Sequence, residues 1–484
     1  KSGVALNFGT EYRREALELR PDLEYQSGDL SGFGSITPVA GAYQVDEGYV
    51  EVQVPIAQGM PFFEDLTANA GYRYSAYSDS AGNASTYKYG AEWQVVDDFR
   101  FRGSYQHAVR APNAVELFGA QTQGLWAGAD LCAGANPGYT EAQCEHTFEY
   151  GTNGQRLSDV QAEGAAAADY GNITQCPAAQ CTALFSGNTN LKPEAANTWS
   201  LGAVITPTFL DGFNATIDYF NIKINGLIGV VPQAIIIGAC AQSDNPAFCS
   251  LVQRGANGVL SGTGNGSGQV ITQTVNTGYL QTSGIDFEAN YQADLSDWNM
   301  GNNGALAFNF IGTYTDSLTT EPTDPATLKA AGLPTTYNCA GMFGTTCLTP
   351  TPKWRHKLRL TWSSPWDVDF SFAWRYLSEV KLDLNSPNPL LNLECFAFNV
   401  AGPCNDNLDG HIAPYSYFDI ASTWTVRPGV QLGIGVNNVF DKDPPVLDTG
   451  NLGVSSPPTG NGNTFPQTYD ALGRVIFINA TVKY

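Results

Sequence analysis

The chain is dominated by segments in which apolar and polar residues alternate. Alternation with period two places unlike residues on the two faces of a β-strand. The C-terminal segment shows this pattern, with Ile476, Ile478 and Val482 on one face and Asn479 and Thr481 on the other. We predict fourteen such strands, near residues 3–14, 43–55, 64–77, 84–96, 99–110, 196–206, 212–224, 283–293, 304–316, 353–362, 366–378, 414–426, 429–440 and 472–484.

The connections between these strands alternate between short and long, and only residues 78–83 break the alternation. The short connections lie near residues 56–63, 97–98, 207–211, 294–303, 363–365 and 427–428. The long connections lie near residues 15–42, 111–195, 225–282, 317–352, 379–413 and 441–471. Antiparallel membrane barrels have short periplasmic turns and long extracellular loops. The fold class is therefore predicted to be all-β, as a transmembrane antiparallel β-barrel with its long loops outside the cell.

Composition agrees with a barrel and excludes other classes. Charged residues make up 14% of the 484 residues and aromatics 12%, whereas soluble domains carry about 25% charged residues. No apolar run approaches the roughly 20 residues of a transmembrane helix. The net charge of −22 excludes nucleic acid, because phosphate binding needs clustered Lys and Arg. The four scattered histidines form no catalytic constellation. We expect no enzyme activity, no cofactor and no metal site.

The ten cysteines fall as close neighbours within the long connections. Zinc sites favour CxxC pairs or histidine partners, and the sequence has no CxxC. An even number of cysteines at short local spacings indicates disulfides formed in an oxidising compartment. The predicted pairs are Cys132–Cys144, Cys176–Cys181, Cys240–Cys249, Cys339–Cys347 and Cys395–Cys404.

Three segments resemble the TonB-dependent receptors of outer membranes. Arg110–Asn113 followed by Glu116–Phe118 resembles the family's RAPN..ELF stretch, and Asn190–Glu194 resembles its NLKPE segment. Gly435–Asp441 resembles the NNVFDK ending of the penultimate strand, and the terminal Tyr484 is similar to the barrel-assembly signal. The resemblance covers the chain from Gly3 to Tyr484, while the loops match nothing specific.

The resemblance implies a receptor in the outer membrane of a Gram-negative bacterium, in contact with lipid and lipopolysaccharide. Large transporters of this kind close with about 22 strands around a plugged lumen, so these fourteen would be the C-terminal ones. The chain begins inside a predicted strand, and we expect the first strands and the plug to lie upstream. The expected function is energy-coupled uptake of a small nutrient, with the TonB complex acting through that plug.

Two sets of strand residues follow from the alternation. The polar face should line the lumen and pair with the plug, through Arg13, Arg73, Arg102, Arg355, Arg359 and Arg375. The apolar face should place aromatic rings near the bilayer interfaces, at Tyr72, Tyr74, Trp354, Trp374 and Tyr484. A slip of one residue would exchange the two faces of a strand.

Residues 119–190 hold seven acidic residues and a single base, Arg156. The ligand-binding candidates are its aromatic residues, Trp126, Phe148, Tyr150, Tyr170 and Phe185. The acids form either a solvated surface or a mouth that disfavours anions, and the second reading suits a sugar or peptide better than a ferric siderophore. Carbohydrate, peptide and metal chelate all stay open as nutrients. A passive porin and a secreted β-rich adhesin or enzyme are the alternative functions.

Overall fold

The fourteen predicted strands all form in the computed structural model, which describes residues 3–29, 35–79, 82–127, 130–135, 137–151, 155–177, 180–262, 267–344, 346–391, 410–447 and 462–483. They are β1 (Ala5–Leu19), β2 (Val39–Met60), β3 (Phe63–Tyr77), β4 (Asn83–Val96), β5 (Phe99–Arg110), β8 (Glu194–Ile205), β9 (Phe213–Asn225), β14 (Tyr279–Asp294), β15 (Ala305–Thr320), β18 (Trp354–Ser363), β19 (Val368–Leu377), β22 (Tyr415–Arg427), β23 (Val430–Asn437) and β24 (Val475–Val482).

These strands make one antiparallel sheet in which each strand pairs with its neighbours along this series. A short additional strand, β16 (Tyr337–Asn338), pairs with the end of β15. The up-and-down order puts all the long connections at one end of the strands, together with the short β3–β4 connection, and the other short connections at the opposite end. The predicted antiparallel β-barrel topology is thus confirmed for the described strands.

The strand register separates an apolar face from a polar face. Tyr72, Tyr74, Trp354 and Trp374 lie on the apolar face, as predicted. Tyr484 lies outside the described residues. Large apolar side chains on this face are exposed, among them Phe8, Leu201 and Ile478, and a broad exposed apolar surface marks contact with a partner or a membrane.

Tryptophans cluster on the apolar face near the short turns, where two indole N–H groups donate to turn carbonyls. Trp93 Nε1 donates to the carbonyl oxygen of Phe62 at 2.8 Å, and Trp362 Nε1 donates to that of Asn303 at 2.8 Å. Such amphipathic rings suit the level where hydrocarbon meets polar headgroups. Within the described ranges, no helix is long and apolar enough to cross a membrane.

The long connections contain the remaining elements. The helices are α1 (Leu23–Ser27), α2 (Ala114–Phe118), α3 (Glu141–His146), α4 (Asp159–Asp169), α5 (Gln233–Ser243), α6 (Pro246–Cys249) and α7 (Pro325–Ala330). The strands are β6 (Thr122–Ala127), β7 (Gln180–Ser186), β10 (Ile228–Gly229), β11 (Val252–Gln253), β12 (Gln269–Gln273), β13 (Val275–Asn276), β17 (Met342–Phe343), β20 (Val380–Leu382) and β21 (His411–Ile412). Short 3₁₀ helices lie at Ala256–Gly258, Leu295–Trp298 and Asp383–Asn385.

Four of the long connections fold together into one domain, which we call the cap: the described residues of 111–193, 226–278, 321–353 and 378–391. A four-stranded sheet, in the order β11-β12-β7-β6, combines strands of the first two connections. Helix α5 is apolar around its circumference, and its residues Ile235–Ile237 are fully buried, as expected for a helix packed on all sides. Leu328 and Leu390 join the same core from the other two connections.

Disulfides tie the cap together locally. The structure forms four of the predicted pairs, Cys132–Cys144, Cys176–Cys181, Cys240–Cys249 and Cys339–Cys347. Their Cα–Cα separations lie between 4.7 and 5.7 Å, within the usual range for a disulfide. The fifth predicted pair, Cys395–Cys404, lies outside the described residues.

Candidate functional site

The cap begins with α2, which packs onto the polar face at the long-loop ends of the first strands. Leu117 is buried in a cluster with Tyr43 of β2, Leu191 and Ile228. The ring of Phe118 lies so close to Gly41 that an added Cβ would fall 2.2 Å from it. The loop after β5 therefore folds over the polar face at the long-loop ends of the strands and does not extend away from the sheet.

The two motifs that resemble receptor sequences meet at this point. Arg110 Nε donates to Glu194 Oε1 at 2.6 Å, and the two Nη atoms of Arg110 donate to Glu116 at 2.9 and 3.1 Å. Glu194 Oε2 also accepts the backbone N–H of Ile228 at 2.9 Å. A bidentate guanidinium contact fixes geometry as well as charge, so Arg110 locks the first turn of the cap to the sheet.

A second group of loop residues packs on the polar face near the last strands. Phe465 and Tyr469 are buried in a cluster with Tyr417 of β22 and Phe343. Arg375 links this group to the strands, donating to Asp419 of β22 at 2.8 and 2.9 Å and to Asp470 at 2.6 and 2.9 Å. Loops thus contact the polar face both near the first strands and near the last strands.

A buried ion pair joins the first two cap connections. Arg254 donates to both carboxylate oxygens of Asp130, at 2.6 and 3.0 Å, and their side chains are 2% and 0% exposed. The same guanidinium donates to Thr147 Oγ1 at 2.7 Å and to the carbonyl oxygen of Gly258 at 2.7 Å. Sequence reasoning missed this pair because the partners lie 124 residues apart and no local pattern connects them.

The aromatic ligand-binding candidates lie in the cap core or against it. Trp126 is 7% exposed and Phe148 is 5% exposed, each within a buried cluster. Tyr150 and Phe185 are partly buried against the first cluster, and Tyr170 is partly buried against the second. In this structure Trp126 and Phe148 pack within the cap interior.

The acids of residues 119–190 are partly neutralised inside the cap. Asp130 pairs with Arg254 as described. Glu149 contacts Arg156, whose Nη2 lies 3.2 Å from Glu149 Oε2. Burial and the neighbouring Asp244 nevertheless raise the pKa of Glu149 to about 7. The loop therefore presents less negative charge to its surroundings than its sequence suggests.

The register places all six predicted arginines on the polar face, opposite the aromatic side chains. Most cations there pair with carboxylates, as Arg73 does with Glu47 at 2.8 Å. Arg102 reaches Asp218 at 2.5 and 2.7 Å although β8 lies between their strands. The intervening residue is Gly202, and a Cβ there would fall 1.9 Å from Asp218 Oδ1. Only glycine leaves room for this contact.

Two cavities adjoin on the polar face and differ in charge. One, of about 660 Å³, is lined by Arg102, Asp218, Asp286 and Glu288. The other, of about 400 Å³, is lined by the cations Arg355, Lys357 and Arg375. Thr313 and the loop residue Thr468 also line it. Ile311 lines both cavities. Lys357 was not among the predicted site residues, although its alternation with Arg355 and Arg359 places it on the same face. Among the described residues, no group of His, Cys, Asp and Glu is arranged to hold a metal ion.

The fold is a long antiparallel sheet with one exposed apolar face, and loops pack on its polar face at one end of the strands. This arrangement is typical of the β-barrels of outer-membrane receptors. The family described as TonB dependent receptor-like, beta-barrel matches residues 2–439, and the chain belongs to that family. TonB-dependent receptor barrels lie in the outer membrane of Gram-negative bacteria. No curated protein sequence matches the chain.

Solved structures with the same fold include receptors and a transporter from three bacteria. A mutant of the ferric enterobactin receptor of Pseudomonas aeruginosa is 17% identical, with a TM-score of 0.57, over 99% of this chain and 51% of that one. The siderophore receptor PirA of Acinetobacter baumannii is 14% identical (TM-score 0.54; 99% and 52% covered). The FrpB iron transporter of Neisseria meningitidis is 14% identical (TM-score 0.51; 100% and 54% covered). The chain spans about half the length of these structures.

Proposed function

We propose that the chain is the C-terminal part of a barrel that imports a scarce nutrient into the periplasm, with energy supplied through TonB. The observation that carries this proposal is a folded cap that packs on the polar face at the long-loop ends of the strands. Within the described strands, charges on that face are mostly paired across strands, which suits a surface withdrawn from bulk water. A passive porin needs an open path, whereas here loops pack inward on the polar face. Family membership also favours import over the secreted alternatives.

Among the three nutrient classes, we favour a metal chelate. The cationic cavity attracts anions, and many chelates of ferric iron are anionic. The solved structures of the same fold include receptors named for ferric enterobactin and siderophores. A sugar or peptide would instead suit an acidic mouth with exposed aromatic rings. Burial of Trp126 and Phe148 removes part of that support.

A growth experiment tests the proposal. The gene for the full-length protein would be deleted in its host, alongside a strain lacking TonB. Both strains would be grown with single limiting sources of iron chelate, oligosaccharide or peptide. The proposal expects both strains to lose growth on the same iron chelates while growth on the other sources stays unchanged. Normal growth of the receptor deletion on every source that requires TonB would contradict it.

A further inference from the structure

Three cations on β18 differ from the other cations of the polar face. Arg355, Lys357 and Arg359 occupy alternate positions on this strand, so their side chains point the same way. Consecutive members are about 6.7 Å apart along the strand. All three are exposed. We call this set the β18 cation stripe.

Every other Arg or Lys on the polar face of the fourteen strands contacts a carboxylate. The pairs are Arg13 with Glu11 and Glu15, Arg73 with Glu47, Lys88 with Glu51, Arg100 with Glu92, Arg102 with Asp218, Arg110 with Glu194, and Arg375 with Asp419. No carboxylate pairs with the β18 cation stripe anywhere in the described part of the chain; Arg359 donates to the hydroxyl of Ser371 at 3.2 Å.

The neighbouring strands explain this difference. On β15 the residues opposite the stripe are Thr313, Ile311 and Asn309. On β19 they are Leu377, Arg375 and Ala373. None of these is acidic, and the one charged neighbour, Arg375, is already neutralised by Asp419 and Asp470. The sheet therefore concentrates positive charge on β18 without supplying its counter-charge.

The stripe also borders a defined space. Arg355 and Lys357 line the 400 Å³ cavity, together with the hydroxyl-bearing Thr313, Tyr417 and Thr468. Thr468 belongs to the loop that packs on Tyr417 and Arg375, so the cavity lies between the strands and the loops over the mouth. A volume of this size fits a small molecule. Guanidinium and ammonium donors at this spacing would bind an anion with two or more separated oxyanion groups.

We propose that the β18 cation stripe is a binding site for a multivalent anionic small molecule, such as a carboxylate-rich metal chelate, on its way past the cap. This assignment rests on the proposed import function and names the chemistry of its cargo. Exposed cations attract such a ligand through electrostatic forces that salt screens over about 10 Å at 0.1 M. Binding should therefore weaken as ionic strength rises.

Calorimetric titration of the full-length receptor in detergent with citrate tests the assignment, with maltose as the neutral comparison. The stripe variant is Arg355→Gln, Lys357→Gln and Arg359→Gln. The matched control removes the same charge from paired positions: Arg13→Gln, Lys88→Gln and Arg100→Gln. Heat-modifiable gel migration establishes that each barrel is folded. We expect citrate to bind the wild type and the control, at least tenfold weaker binding by the stripe variant, and no maltose binding.

Three results would overturn the assignment. Absence of citrate binding by the folded wild type would mean that the stripe is neutralised by another part of the full-length protein, such as plug carboxylates. Equal loss in the stripe variant and the control would mean that only net charge matters. Unchanged binding in the stripe variant would place the anion elsewhere. Because these titrations need no TonB, they succeed or fail independently of the growth experiment.

Discussion

The buried pair of Arg254 and Asp130 should control the stability of the cap. In the Arg254→Ala variant, the Asp130 carboxylate would remain fully buried without its cation. Thr147 and Gly258 would lose a charged donor as well. Removing one partner of a buried ion pair costs about 3–5 kcal/mol. Since each 1.4 kcal/mol changes an equilibrium about tenfold, local opening of the cap should increase by roughly 10²- to 4 × 10³-fold.

Hydrogen exchange followed by mass spectrometry on the full-length receptor measures this opening by segment. Peptides from residues 122–186 and 233–273 should exchange much faster in Arg254→Ala, while β-strand peptides such as 354–377 keep their protection. Arg156→Gln is the matched control, because Arg156 is 52% exposed although its partner Glu149 is 12% exposed, and a pair with one solvent-exposed cation contributes little, about 0–1 kcal/mol for exposed pairs. Its cap should exchange nearly as slowly as that of the wild type.

A double variant separates loss of charge pairing from loss of packing. Replacing Asp130 with Leu and Arg254 with Met removes both charges and keeps an apolar interior, which in other proteins is neutral or stabilising relative to the pair. This variant should recover most of the protection lost in Arg254→Ala. If Arg254→Ala left exchange of the cap unchanged, the pair would not hold the two connections together and the reasoning would be wrong.

Three further perturbations test separate contacts. The pKa of Glu149 is raised to about 7 from 4.5 for the free side chain, which means that the folded cap favours the protonated acid. The stability of the cap should therefore be complete below about pH 4.5 and fall as pH rises through 7. Glu149→Gln should abolish this dependence, measured by proteolysis at pH 5 and pH 8. Gly202→Ala should displace Asp218 from Arg102 and destabilise the barrel by about 1 kcal/mol, the upper value for an exposed ion pair, which would lower the melting temperature of the heat-modifiable band. The control Gly103→Ala, whose added Cβ would meet its nearest atom at an ordinary 3.5 Å, should leave that temperature unchanged. Equal effects of the two variants would contradict the steric argument. Replacing Cys240 and Cys249 by Ser should destabilise the cap by about 2–5 kcal/mol and expose residues 226–278 to protease, while the heat-modifiable barrel stays intact on a gel. Resistance to protease equal to that of the wild type would show that packing alone holds helix α5.

The strands were predictable because alternation is a local property. Each strand of the sheet has one face towards lipid and one polar face, so apolar and polar residues alternate along it with a period of two. The structure extends β2 from the predicted 43–55 to Val39–Met60, and it begins β14 at Tyr279 instead of 283. At the long-loop ends the cap packs on the polar face, as it does on Leu318 of β15, and apolar residues on both faces then hide the alternation. The extension of β2 to Met60 instead follows a bulge between Pro55 and Ala57 that interrupts the period of two.

The cap was not predictable as a domain because its core comes from four connections far apart in sequence. Neither the Arg254–Asp130 pair nor the β7–β12 pairing of Ala183 with Val270 leaves a signal within a short window. The aromatic residues of 119–190 were interpreted from composition, which does not distinguish a ring packed inside a loop domain from one exposed at its surface. Disulfide pairs were easier to predict, because each connects cysteines separated by twelve residues or fewer.

Energy-coupled import through this barrel is tested most directly by accumulation of labelled ligand in whole cells. Cells expressing the full-length receptor would take up a ⁵⁵Fe-labelled chelate selected by the growth experiment, with and without a proton uncoupler, and with and without TonB. We predict saturable accumulation that ceases when the receptor, TonB or the proton gradient is removed, while surface binding at 0 °C persists without TonB. Accumulation that continues at the same rate in cells without TonB would contradict active import and indicate passive passage through the barrel.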